Sequence, residues 1–192
     1  AKVIDFERLN NTDIKLLVTE IPDDVVIGKD VIENASFTPN LYVRNCSFGP
    51  TSGRGILATT RGEVIIENNR FYKLCGPSLL IEDDCNFWFE SGYTRDITFR
   101  DNDVISCNFG KTWEGSPVIQ YTPKVMNEDY DGFVHGKLKV YNNSFLKPCS
   151  GRHTFFLQYL ENAEIINNTF DAEFEINSHK CGVITSDCNK TL

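Results

Sequence analysis

Four carboxylates and three aromatic side chains stand close together in residues 79–92, which read LLIEDDCNFWFESG. The apolar run at the start has the composition of a buried strand and ends abruptly in acids, so we expect the acids to lie where a strand leaves the core. The aromatics should then project from the loop that follows. Carboxylates beside aromatic faces are typical of sites that handle sugars. The acids are Glu82, Asp83, Asp84 and Glu90, and the aromatics are Phe87, Trp88 and Phe89.

The chemistry that such acids perform on sugars is glycoside hydrolysis. It requires one carboxylic acid that protonates the leaving oxygen and one carboxylate that activates water or attacks the sugar, and inverting enzymes hold the two roughly 6.5–9.5 Å apart. Glu82 and Asp84 stand two positions apart on a strand, on one face, with Cα atoms about 6.7 Å apart. This spacing permits inversion. Asp83 points the other way unless the strand has already ended, and the alternative is a solvated, charged turn.

Four further side chains are candidates for substrate binding: Trp88, Glu90, Arg54 and Arg61. Trp88 would either stack on a sugar face or pack its loop onto the scaffold. The two arginines flank GILATT and would either reach sugar hydroxyls or pair with Glu82 or Glu63.

Other polar groups are interpreted as structural. His135 and His153 have no Ser or Cys partner in an obvious motif, which favours a structural role for both. Asp129 and Asp131, in NEDYDG, lack the ligand spacing of a calcium loop. The sequence therefore predicts no metal and no cofactor.

Composition and charge narrow the class of partner. The formal charge is −8 and the pI is about 4.9, without the clustered basic face of a nucleic-acid binder, so an uncharged glycan is a better partner. No run of about eighteen apolar residues occurs, so no membrane span is expected. The first residues, AKVIDFERLN, lack the apolar core of a signal peptide. We expect residues 1–192 to be a single domain and a fragment of a longer protein.

The seven cysteines are predicted to be free thiols. Their number is odd, and their spacings include no CxxC pair and no zinc-like cluster. We therefore expect no disulfide.

One pattern recurs five times: a short β-branched or aromatic run, a polar pair, one more residue and an apolar residue. The copies are YVRNCSF (42–48), VIIENNRF (64–71), ITFRDNDV (97–104), LKVYNNSF (138–145) and EIINNTF (164–170). Their last residues, Phe48, Phe71, Val104, Phe145 and Phe170, are separated by 23, 33, 41 and 25 residues. A base period of about 23–25 residues with two longer turns is typical of a solenoid, and these last residues should form one interior ladder.

A second strand-like run follows each polar pair. The runs are GILATT (55–60), SLLIED (78–83), SPVIQY (116–121), HTFFLQYL (153–160) and GVITSD (182–187). Short strands, turns rich in Asn, Gly and Ser, and no 3.6-residue periodicity favour an all-β fold, a right-handed parallel β-helix. The Asn pairs would turn the chain and hydrogen-bond to the repeats above and below. Cys46, at the position of Asn69, should then be interior.

The two long intervals are insertions, at roughly residues 85–94 and 124–136. They leave from equivalent strand ends, so they should stand next to each other and form the walls of a cleft around Asp83 and Asp84.

These segments carry a family resemblance. The succession GKDVIENASFTPNLYVRNCSF, RGILATTRGEVIIENNRFY and LLIEDDCNFWFESGYTRDITFRDN resembles the β-helix of bacterial glycoside hydrolase family 110, exo-acting α-galactosidases that remove terminal α-1,3-linked galactose. The similarity covers about residues 25–170. It implies an inverting enzyme with a glycan substrate, catalytic residues among Asp83, Asp84 and Glu82, an extracellular or periplasmic location, and a chain that is the C-terminal portion of a longer protein.

Two hypotheses from different classes remain open. The first is the glycosidase, and the second is a non-catalytic β-helix that binds carbohydrate or supports another domain. A polysaccharide lyase is a weaker third hypothesis, because lyases act on anionic polymers and this chain is acidic.

Overall fold

The computed structural model describes residues 1–85, 87–90, 92–110, 117–125, 129–149 and 151–190. The chain divides into two compact units, residues 1–32 and residues 33–192. The first unit contains an antiparallel hairpin of β1 (Val3–Arg8) and β2 (Ile14–Val18). The chain reverses at Asn10, whose side-chain carbonyl accepts hydrogen bonds from the backbone N–H groups of Thr12 and Asp13. The expectation of a single domain over residues 1–192 stays a prediction.

The second unit is built from short strands that pair in parallel. In chain order they are β3 (Leu41–Arg44), β4 (Ser47–Phe48), β5 (Ile56–Leu57), β6 (Glu63–Glu67), β7 (Arg70–Tyr72), β8 (Leu79–Ile81), β9 (Asp96–Arg100), β10 (Asp103–Ile105), β11 (Ile119–Tyr121), β12 (His135–Tyr141), β13 (Ser144–Leu146), β14 (Arg152–Gln158), β15 (Leu160–Phe170), β16 (Glu173–His179) and β17 (Val183–Lys190). The described residues contain no helix, and so none that could cross a membrane. The predicted all-β class with parallel strands is confirmed.

These strands form two sheets. The first has the order β3-β6-β9-β12-β15-β13-β10-β7-β4, with β17 also paired to β15. β15 is long enough to pair with both β12 and β13. The second sheet has the order β16-β14-β11-β8-β5. Each repeat therefore contributes strands to both sheets, in the same chain order.

The predicted interior ladder is confirmed. Strand register joins its members in sequence, from Phe48 to Phe71, Val104, Phe145 and Phe170. The last four are at most 1% exposed, and Phe48, on the terminal strand β4, is half-buried. The rings of Phe48 and Phe71 stack with centroids 4.9 Å apart, as do those of Phe145 and Phe170. This ladder forms part of a core that also includes the inward side chains of the second sheet.

The polar pairs turn the chain as predicted. The first residue of each pair has a left-handed backbone, with φ of 54° or 55°, a conformation that Asn and Asp adopt more readily than other side chains. The second residues are buried amides in four of the five copies, all but the first. The first residues are Asn45, Asn68, Asp101, Asn142 and Asn167, and the buried amides are Asn69, Asn102, Asn143 and Asn168.

Each buried amide joins neighbouring repeats. Asn102 Oδ1 accepts hydrogen bonds from the backbone N–H (2.9 Å) and the side chain (3.1 Å) of Asn69. Asn102 Nδ2 donates to the carbonyl oxygen of Ile66 (3.0 Å) and to Asn143 Oδ1 (3.0 Å). All the side-chain hydrogen-bonding groups of the amide are thus used inside the stack, which is what burial of an amide requires.

The expectation that Cys46 is interior is wrong. Its backbone N–H does donate to Asn69 Oδ1 (2.9 Å), so it holds the predicted place in the ladder, but its side chain is exposed. The reason is that β4, which follows it, is the last strand of its sheet.

The fifth of the second strand-like runs, GVITSD, also differs from expectation. It forms β17, which pairs with β15 in the first sheet, whereas the first four runs contribute β5, β8, β11 and β14 to the second sheet. The place beside β14 is taken by β16. That strand reads EFEINSH. Its two large apolar residues, Phe174 and Ile176, are separated by Glu175, so it lacks the continuous apolar run of its counterparts. Ser116, the first residue of SPVIQY, lies outside the described residues.

All seven cysteines are free in the structure. We expect seven thiols to react with a thiol reagent in the denatured protein without any reductant, because such a reagent reacts with free cysteines and not with disulfides. Recovery of five or fewer would contradict this prediction by showing at least one disulfide.

Candidate functional site

Strand β8 brings the acids to one end of the second sheet. Leu79, Leu80 and Ile81 are fully buried, with β5 on one side and β11 on the other. A fully buried strand does not continue into three successive charged side chains, because desolvating each charge costs several kcal/mol. The strand therefore ends at Ile81, and Glu82, Asp83 and Asp84 follow it outside the strand. The expectation that Glu82 and Asp84 share one face of a strand is wrong for this reason.

Asp83 is the buried member of the acidic cluster, at 8% exposure. Its Oδ1 accepts a hydrogen bond of 2.7 Å from the backbone N–H of Lys124. The pKa of Asp83 is raised to about 6, chiefly by burial and to a smaller extent by the nearby Glu82 and Glu90, against the lowering effect of the backbone N–H groups of Lys124 and of Asp83 itself. Asp83 can therefore hold a proton in mildly acidic solution, as a general acid must.

Glu82 is held by a lysine that the sequence analysis did not single out. Lys124 Nζ lies 2.9 Å from Glu82 Oε1, and the Glu82 side chain is 14% exposed. The hydrogen bond to Glu82 raises the pKa of Lys124. Aligning SLLIED with SPVIQY, in the register that pairs Ile81 with Tyr121, places Lys124 level with Asp84, so the repeat pattern carried a signal for it.

Lys124 also joins the bases of the two insertions, because its main chain binds Asp83 and its side chain binds Glu82. At the other ends of the insertions, the Gly136 N–H donates to the Thr94 carbonyl oxygen (2.9 Å). The prediction that the insertions stand next to each other is confirmed at these bases. Positions 86, 91 and 126–128, which belong to the predicted walls of the cleft, lie outside the described residues, and the cleft stays a prediction.

Asp84 and Glu90 close the loop that follows β8. Asp84 Oδ1 accepts from the Phe87 N–H (2.9 Å), and Glu90 Oε2 accepts from the Asp84 N–H (3.3 Å). The Glu90 N–H donates in turn to the Asp84 carbonyl oxygen (3.2 Å). Glu90 is thereby brought beside the catalytic candidates, and it organises the turn that carries Asp84.

The aromatic side chains of this loop face solvent. Phe87, Trp88 and Phe89 are 68%, 69% and 83% exposed, and the rings of Phe87 and Trp88 meet edge to face with centroids 4.9 Å apart. Adjacent exposed apolar side chains of this size are typical of surfaces that bind a ligand or another macromolecule.

Arg61 and Arg54 lie at opposite ends of the second sheet. Arg61 pairs with Glu33 through Nη2 (2.5 Å) and Nε (3.0 Å) and lies over the Tyr93 ring at 5.3 Å. The expected partners Glu82 and Glu63 are therefore wrong for Arg61, and Glu33 and Tyr93 are contacts that the sequence analysis missed.

Arg54 is exposed and stands before β5, whereas the acids follow the far end of β8. In the register that pairs Ile56 with Leu79, Arg54 is about 16 Å along the strand direction from Glu82. The structure does not bring Arg54 to the acids.

The two histidines that were assigned structural roles are both 1% exposed. His153 Nε2 lies 3.3 Å from Asp171 Oδ1, and His135 contacts Thr94. Asp129 and Asp131 are exposed. Within the described residues, no group of three or more His, Cys, Asp or Glu side chains could hold a metal ion.

Comparison with known proteins finds several similar sequences. The chain is 34% identical over 146 residues to alpha-1,3-galactosidase A of Bacteroides fragilis, a match that covers 76% of the chain and 24% of the relative. It is 36% identical over 147 residues to alpha-1,3-galactosidase B of Bacteroides thetaiotaomicron, with the same coverage. The chain is galactosidase-like in sequence. It spans about a quarter of the length of the curated relatives it matches.

A longer match has lower identity. Alpha-1,3-galactosidase B of Akkermansia muciniphila is 27% identical over 193 residues, which covers 96% of the chain and 24% of that relative. No protein-family model matches the chain.

Proposed function

We propose that the complete protein is an inverting exo-α-galactosidase that removes terminal α-1,3-linked galactose from a glycan, as the resemblance to glycoside hydrolase family 110 implies. The observation that carries the proposal is the environment of Asp83. A carboxyl group at 8% exposure with a pKa raised to about 6 stands among Glu82, Asp84 and Glu90. Two carboxyl groups in different environments are the requirement for acid–base hydrolysis of a glycoside.

In this proposal Asp83 and Asp84 have different roles. Asp83, which keeps its proton in mildly acidic solution, donates it to the leaving glycosidic oxygen. Asp84, in the more exposed corner, takes a proton from the attacking water on the opposite face of the sugar. Glu82 is paired with Lys124, so we do not assign proton transfer to it. Its negative charge instead helps to raise the pKa of Asp83.

The proposal extends to the fold and the location. Residues 33–192 are proposed to be part of a right-handed parallel β-helix, which the parallel pairing and the phenylalanine and asparagine ladders support. They are proposed to be the C-terminal portion of the complete protein, acting outside the cytoplasm in the extracellular space or periplasm.

The test is galactose release from an α-1,3-linked galactose disaccharide by the complete natural protein. We expect turnover in the wild type and a loss of at least about 10³-fold in kcat for Asp84→Asn, because the amide keeps the shape of the side chain but cannot accept a proton. Asp103→Asn, at an exposed position on β10, serves as the control and should keep wild-type activity. Unchanged turnover in Asp84→Asn would remove this residue from the chemistry.

The exposed aromatic loop favours a second candidate, a carbohydrate-binding module without catalysis. Binding of the disaccharide with no release of galactose from any α-galactoside by the wild type would establish it in place of the hydrolase.

Under either function, Trp88→Ala should weaken glycan binding by about 1–3 kcal/mol, because the substitution removes the apolar contact between the exposed indole and the sugar. Calorimetric titration of the disaccharide into Asp84→Asn, with and without Trp88→Ala, measures this loss. Phe109→Ala is the matched control, since Phe109 is an exposed aromatic, at 51%, outside the acid loop. Equal affinity with and without Trp88 would contradict the prediction.

A further inference from the structure

The segment that carries the acids, residues 82–94, is tied to the second insertion at both of its ends. At the leaving end, Asp83 accepts from the Lys124 N–H group (2.7 Å). At the returning end, the Thr94 N–H and Oγ1 meet His135 Nδ1 at 3.3 and 3.1 Å. The backbones at Arg95 and Gly136 also lie in close contact, since a Cβ on Gly136 would stand 2.3 Å from the Arg95 carbonyl oxygen.

The imidazole of His135 is fixed in one protonation state by this contact. A backbone N–H group can only donate, so Nδ1 is the unprotonated acceptor and the ring carries its proton on Nε2. His135 and Thr94 are 1% and 2% exposed, and burial lowers the pKa of His135 to about 4. The ring is therefore neutral in neutral solution, and it satisfies a buried N–H group that has no other partner in the described part of the chain.

The other side of the ring faces the strand that leads to Lys124. His135 packs edge to face on Tyr121, with centroids 5.4 Å apart and an interplanar angle of 80°. Tyr121 is fully buried and ends β11, three residues before Lys124. The imidazole therefore lies between Thr94, at the C-terminal end of residues 82–94, and Tyr121, at the end of β11. The chain after β11 leads to Lys124, whose backbone N–H binds Asp83.

We propose that His135 is a positioning residue, which holds the acid segment in place through Thr94 without touching the substrate. The inference rests on the proposed function only in assigning catalysis to the acids of that segment. It requires an acceptor at the position of Nδ1, not a titrating imidazole.

Three variants of the complete protein separate this role from general packing. His135→Asn keeps an acceptor near Nδ1, His135→Gln moves it one methylene farther out, and His135→Leu removes it. His153→Leu is the matched control, because His153 is as buried as His135. It lies near the start of β14, at the end of the second sheet opposite to the acids. Hydrogen exchange of peptides covering residues 82–94 is the first readout, and the kcat and KM of galactose release are the second.

We expect His135→Leu and His135→Gln to speed exchange in residues 82–94 by roughly tenfold or more, and to lower kcat by roughly 10–100-fold with little change in KM. His135→Asn should restore both to within about threefold of the wild type. If His135→Leu does not fold, the comparison of Asn with Gln decides the matter.

Equal exchange in the Asn and Gln variants, or the same loosening of residues 82–94 in His153→Leu, would overturn the proposal. A wild type without galactosidase activity would refute the proposed function alone, and the exchange data would still decide the role of His135.

Discussion

Replacing Asp83 by Asn is expected to remove hydrolysis and, at the same time, to stabilise the folded protein in neutral solution. The carboxyl group is 8% exposed and its pKa is raised to about 6, chiefly by burial. In neutral solution the wild type therefore holds a desolvated charge that its hydrogen bonds with backbone N–H groups, including that of Lys124, only partly compensate. The amide keeps an oxygen for the Lys124 N–H group and carries no charge, but it has no proton to donate to a leaving oxygen.

The pH dependence of this stability difference has a definite sign. The folded pKa lies above the ordinary value of 3.8, so between these two values the native state binds more protons than the unfolded state. The wild type consequently loses stability as the pH rises through about 4 to 6, by at most about 3 kcal/mol. Asp83→Asn should be more stable than the wild type by about 1–3 kcal/mol at pH 7.5 and should show no such gain at pH 3.5.

Urea denaturation at the two pH values measures the free energy of unfolding of each protein. Asp103→Asn, at an exposed position, should show no comparable gain at either pH. Galactose release by the same proteins should fall in the wild type as the pH rises above about 6, because the acid loses its proton, and should be absent in Asp83→Asn. A variant that is less stable than the wild type at pH 7.5 would show that the carboxylate contributes to folding rather than opposing it.

The repeat architecture could be predicted because it depends on local chemistry that recurs. A left-handed turn residue followed by a buried amide and an apolar side chain leaves the same signature in every repeat, as in Asn68, Asn69 and Phe71. Counting residues between copies then gives the register, and strand pairing follows it. The acids could be found for a similar reason, since an apolar run that ends in charges must leave the core there.

The contacts that organise the site could not be predicted in the same way, because they join segments through single side chains. Arg61 pairs with Glu33, in a stretch without any repeat signature. The repeat register places Lys124 level with Asp84, but it does not indicate that the Lys124 side chain binds Glu82 and its main chain binds Asp83. The end of a ladder is also invisible in a local pattern. Cys46 has the right place in its repeat and is nevertheless exposed, because burial depends on whether another repeat covers it.

Phe71→Ala is expected to destabilise the protein by about 3–5 kcal/mol. The ring is fully buried, stacks on Phe48 at 4.9 Å, and contacts Phe99 at 5.4 Å. Removing it leaves a cavity inside the ladder, between two neighbouring members. The adjacent repeats cannot collapse into it because the amide ladder and the strand pairing fix their spacing.

Phe48→Ala is the matched comparison for this cost. It deletes the same ring from the same ladder, but at the terminal strand, where the side chain is half-buried and only one neighbour in the ladder is lost. Because the cost of a truncation grows with the cavity that remains, we expect about 1–2 kcal/mol at this end. Urea denaturation of the two variants and the wild type measures both values. A cost for Phe48 equal to that for Phe71 would mean that another part of the complete protein covers β4 and extends the core beyond it.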